Sequence, residues 1–68
     1  MLVGLVTGVT QRSKGATYTI TLYDRAPRRD SPDRALFERT VMVPHEADLA
    51  VTLAETIRAM KQDVGAHD

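Results

Sequence analysis

The sequence predicts an α+β domain: a three-stranded antiparallel sheet with one C-terminal helix packed across one face, in the order β-β-β-α. Three observations lead there. Ala16, Tyr18, Ile20 and Leu22 alternate with Thr17, Thr19 and Thr21, a period of two that marks a half-buried strand. Pro27 and Pro32 interrupt the chain after it, because neither can donate to a sheet ladder. Beyond Pro44 the apolar period changes to 3.6, which marks a helix lying on something flat.

The first strand is expected at about residues 2–10, a Val- and Thr-rich stretch with Gly4 and Gly8 on one face. Gln11 to Gly15 is polar and reads as the hairpin connection to a second strand at about 16–23. Tyr23 to Asp33 reads as a loop crowded with Arg and Asp. A third strand is expected at about 36–43, on the strength of Thr40-Val41-Met42-Val43. Ser31-Pro32-Asp33 also fits a helix start, which leaves a short helical turn through Phe37 as the alternative. The helix is expected at about 45–62, started by Pro44 and stopped by Gly65, with a tail at 63–68. Leu49, Leu53, Ile57, Met60 and Val64 form its apolar stripe.

Sixty-eight residues make one domain at most, and a chain of this size buries only about 60% of the surface its unfolded form exposes. With one Phe, two Tyr and no Trp, the core must be aliphatic. There is no cysteine, so neither a disulfide framework nor a thiolate metal site adds stability. Self-association is one way for so thin a core to gain support.

The nine basic and nine acidic residues cancel overall but divide along the chain. Seven basic residues against four acidic ones lie in residues 1–43, and two against five in residues 44–68. The sheet half is mildly basic, far from the footprint of a typical nucleic-acid binder. The apolar opening, Met1 to Val6, is too short to span a bilayer and lacks a signal-peptide pattern. A cytoplasmic protein without membrane contact is expected.

No motif carries recognisable chemistry. His45-Glu46 opens like a zinc-protease helix, but the second His four residues on is Leu49. Gly8 to Gly15 departs from a phosphate-binding loop at Ser13 and at Gly15 itself. Neither a Ser-His-Asp nor a Cys-His set can be assembled, and a domain this small has little room for a water-excluding pocket. The expectation is a non-enzyme with no catalytic residues, metal, cofactor or small-molecule substrate.

Two segments are similar to the three-stranded-sheet-plus-helix DNA-binding domains at the N-termini of phage-type tyrosine integrases, relatives of the plant apetala-type domain. Arg12-Ser13-Lys14-Gly15 leading into Tyr18-Thr19-Ile20-Thr21-Leu22 resembles that family's basic turn and second strand. Arg39 to Ala50 resembles its third strand and helix start. The match covers about residues 8–61. It implies a sheet whose open face enters the major groove, with Arg12, Lys14, Thr17, Thr19, Thr21 and Arg39 as contacts. The departures are threonines where the family carries Arg or Lys, fewer aromatics and a neutral charge. Threonine releases no counterions, so the electrostatic part of DNA affinity is small.

One helix covers one sheet face, so apolar residues are left over on the other face or at an edge. Two functions follow. The first is a non-catalytic interaction module, an adaptor or inhibitor of phage or mobile-element type, that docks on a protein or self-associates through its sheet. Leu36 and Met42, with the stripe Thr17, Thr19 and Thr21, or an unpaired edge, would form the contact. The alternative is a weakly basic DNA-binding module using Arg12, Lys14, Arg28, Arg29 and Arg39.

Overall fold

The computed structural model describes residues 1–25 and 32–65. Arg28, Arg29 and His67 lie outside the described residues, as does most of the expected loop. Three strands, β1 (Leu2–Arg12), β2 (Gly15–Asp24) and β3 (Arg34–Pro44), form one antiparallel sheet in the order β1-β2-β3, followed by the helix α1 (Leu49–Gly65). The predicted β-β-β-α order is the observed one.

The strands run longer than expected and the first connection is shorter. Arg12 pairs with Gly15, leaving Ser13 and Lys14 as a two-residue turn. Gly15 is needed for a close approach: a Cβ there would collide with the Val43 carbonyl oxygen and with Pro44 Cα on β3. The His45 amide then donates to the Lys14 carbonyl oxygen at 3.1 Å, tying the end of β3 to the hairpin.

The expected helix start is corrected, and the third strand is observed in place of its helical alternative. Pro44 ends β3 and does not begin the helix. The N-cap is Asp48, whose Oδ1 accepts from the Val51 amide at 3.2 Å, while its carbonyl accepts from the Thr52 amide at 3.0 Å. Gly65 belongs to α1 as its last residue. The segment through Leu36 and Phe37 is strand, not a helical turn.

The core lies between the helix and one sheet face. Ile20, Leu22 and Met60 are fully buried, with Leu2, Leu36, Phe37, Val41, Leu53, Ile57 and Val64 packed around them. Burying each of the three is worth about 1.5–3 kcal/mol, and few other side chains contribute as much. The helix lies across β2 and β3 and meets β1 near its beginning, where a Cβ on Gly4 would sit 2.8 Å from Ile57 Cγ1. The absence of a side chain at Gly4 lets the helix sit this low.

A bulge on each outer strand changes which residues share a face. In β1 the register shifts between Val6 and Gly8. Before it, Gly4 and Val6 stand opposite Leu22 and Ile20 on the helix face; after it, Val9 and Gln11 stand opposite Tyr18 and Ala16 on that same face. The alternation thus jumps from even to odd at Thr7, as the extra residue in a bulge requires. In β3 the shift against Leu22 and Tyr23 falls at Leu36. Leu36 and Phe37 therefore both pack on the core, correcting the expectation that Leu36 joins Met42 on the contact surface.

Candidate functional site

The sheet face turned away from the helix is a threonine-rich surface. Leu5, Thr7 and Thr10 of β1, Thr17, Thr19, Thr21 and Tyr23 of β2, and Glu38, Thr40 and Met42 of β3 stand on it. Its hydroxyls are partly engaged within the sheet. Thr7 Oγ1 and Thr21 Oγ1 are 2.8 Å apart, Thr7 Oγ1 also donates to the Thr19 carbonyl at 3.4 Å, and Thr21 is only 8% exposed. Thr17 Oγ1 lies 4.0 Å from Met42 Sδ.

The expected contact set is split by this arrangement. Met42, 45% exposed, stands beside Thr17 on the outer face with Thr19 and Thr21. Leu36 belongs to the core cluster on the other side. Leu5, opposite Thr21, stands with Val3 and Tyr23 at one end of the outer face, and Met42, opposite Thr17, stands at the other. Leu5 and Met42 lie at diagonal corners of the sheet, about 13 Å apart along the strands, with threonines between them. The face therefore carries an apolar cluster at one corner and Met42 at the other, not one continuous patch.

A more continuous apolar surface runs along β1. Leu5, Val6 and Val9 are 52%, 42% and 53% exposed. Val6 and Val9 stand on the helix face, yet the helix leans over β2 and β3 and leaves them uncovered. Among the described residues no strand pairs with the outward side of β1. Its amides and carbonyls there form a free ladder edge. The stretch from Leu2 to Gln11 contains no charged residue and no proline. The interaction residues selected from the sequence missed Val6 and Val9. The signal that could have found them is this charge-free run, which is unusual for an edge strand.

The basic residues are dispersed. Arg12 and Lys14 are exposed at the hairpin. Arg39 is opposite Ile20 on the helix face, where its guanidinium bonds Asp63 Oδ2 of α1 at 2.6 Å and lies 5.8 Å from the centre of the Phe37 ring. It does not share a face with Thr17, Thr19 and Thr21.

Among the described residues the open clefts include two. One of about 330 Å³ is lined by Val3, Leu5, Tyr23, Arg25 and Asp33. The other, about 250 Å³, lies at the start of the helix beside Tyr18, Val43, His45 and Leu49. Among the described residues no group of three or more His, Cys, Asp or Glu side chains could hold a metal ion, and no helix is long and apolar enough to cross a membrane. No protein-family model, curated protein or solved structure matches the chain.

Proposed function

We propose that this chain is a small non-catalytic interaction module whose docking surface is the free edge of β1, where it accepts an extended strand of protein. The observation that carries the reading is the coincidence of an unpaired ladder edge with Leu5, Val6 and Val9 exposed on either side of it. Backbone hydrogen bonds along the edge supply affinity, and the flanking side chains supply selectivity. The cysteine-free composition accords with work in the cytoplasm.

The DNA-binding alternative finds less support. Arg39 is engaged with Asp63 on the helix face, and Glu38 stands on the open face. Only Arg12 and Lys14 of the described candidates are left exposed at one end of the sheet.

Site-specific photo-crosslinking tests the reading in cells that make the protein. A photoreactive side chain at Leu5 or Val9 is expected to yield protein adducts, and one at Thr40 to yield few. Adducts mainly from Thr40, or none from either strand, would contradict it. Retention on duplex DNA that falls steeply with salt and is abolished by Arg12→Ala with Lys14→Ala would favour the alternative.

A further inference from the structure

The bulge in β1 fixes the register in which that strand can pair with a copy of itself. Before Thr7 the even residues stand on the helix face, and after it the odd ones do. Thr7 and Gly8 both turn to the outer face, where Thr7 meets Thr21 and Gly8 approaches Thr19. Two such strands can be laid antiparallel about a two-fold axis between Thr7 and Gly8, so that paired residue numbers sum to about fifteen, the odd total set by the extra residue of the bulge where regular alternation would give an even one. Every residue then meets one that points to its own side: Val6 meets Val9, Gly4 meets Gln11, Leu5 meets Thr10, and Val3 meets Arg12. A strand with uninterrupted alternation would set Val6 and Val9 on opposite faces, and this register would fail.

We propose that the occupant of the β1 edge is a second copy of this chain, joined through β1 to β1 into a continuous six-stranded sheet. The proposal rests on the reading of β1 as the docking edge and names its partner. The match of phase is one argument: a regularly alternating strand must leave one β1 residue unpaired, as β2 does at Thr7, whereas β1 of another copy leaves none. Charge is a second. Arg12 is the one charged side chain in the paired segment, and the two copies of it fall at opposite ends. Nine residues at about 3.3 Å each separate them by ~30 Å, well beyond a Debye length of about 8 Å at physiological salt.

The helix face of the junction gathers Val6 and Val9 from each copy, four valines that are half exposed in the single chain. A ladder of this length, ~33 Å, with side chains standing over a depth of about 10 Å, covers on the order of 300–400 Å² per copy. That is less than the roughly 800 Å² per partner of a standard stable interface. The dimer is therefore reversible and concentration-dependent, not obligate.

Because the chain has no cysteine, single-cysteine variants report the register directly. Val6→Cys and Val9→Cys chains, mixed and oxidised, are expected to give a covalent dimer. Either variant alone should give at least several-fold less, because like positions lie three residues out of register, about 10 Å apart and outside disulfide reach. Circular dichroism of each variant confirms the fold. Sedimentation velocity on the unmodified chain is expected to show a mass rising with concentration, and Val9→Lys to hold it at the monomer. A monomer at every concentration, or cross-linking of either single variant as efficient as that of the mixture, would overturn the proposal. In the monomeric case, adducts from Leu5 or Val9 to other proteins would still uphold β1 as a docking edge.

Discussion

The two edges of this sheet are both eleven-residue strands with one bulge each, yet they are built to opposite ends. β3 carries Arg34, Glu38, Arg39 and a closing Pro44, and Arg39 is drawn under the helix by Asp63. Charges and a proline are the usual means by which a protein keeps an edge from pairing. Laying β3 against itself about its centre would also set Arg39 opposite Arg39, a like-charge pair that destabilises a ladder. β1 has none of this between Leu2 and Gln11, and the helix leaves its middle uncovered. A single sheet thus has one guarded edge and one open edge. Edge chemistry, more than any pocket or cluster, is what the proposed docking role rests on.

Five substitutions break or sharpen that contrast. Met60→Ala removes the one fully buried helix side chain under which the sheet is held. A loss of about 2–5 kcal/mol is expected, read by denaturant unfolding, and it weakens both edges together. Gly4→Ala acts on the β1 side alone. Its new methyl group meets Ile57 at 2.8 Å, and the forced shift of the helix is expected to cost about 1–3 kcal/mol, with β1 amides exchanging faster while β3 amides change less.

Arg39→Ala acts on the β3 side. The ion pair it removes is half exposed, so the loss expected in unfolding is below about 1 kcal/mol and shrinks further in high salt. Its sharper consequence is on pairing, since β3 then lacks one of its guards. Val9→Lys is the smallest for the single chain, within about 0.5 kcal/mol, because the side chain is exposed. Its effect falls on association, and Thr40→Lys on β3 is expected to have none.

The fold was largely legible in the sequence, and the reasons are physical. Alternation through Ala16–Leu22 marked β2, the one strand with neighbours on both sides, where the pleat is pinned most firmly. The stripe Leu53, Ile57, Met60 and Val64 marked the helix face that reaches the core. The helix start was displaced because Pro44 fits both a strand end and a first helical turn; Asp48, bonded to the Val51 amide, decides between them. The bulges were legible only in part. Gly8 inside a strand is a local mark of one, but Leu36-Phe37 carries none, and strict alternation across the two sites sends Val9 and Leu36 to the wrong face. Of the candidate contact residues, Met42 therefore stands on the outer face with the threonines while Leu36 packs on the core, and the open edge at Val6 and Val9 emerged only once the helix was seen to lean away from β1.

Hydrogen exchange followed amide by amide at low and high protein concentration tests the contrast between the edges most directly. The outward amides of β1 are expected to slow as concentration rises, while those of β3 keep their rates. Rates unaffected by concentration on both strands would contradict the self-pairing of β1, and protection gained on β3 and not on β1 would contradict the contrast itself.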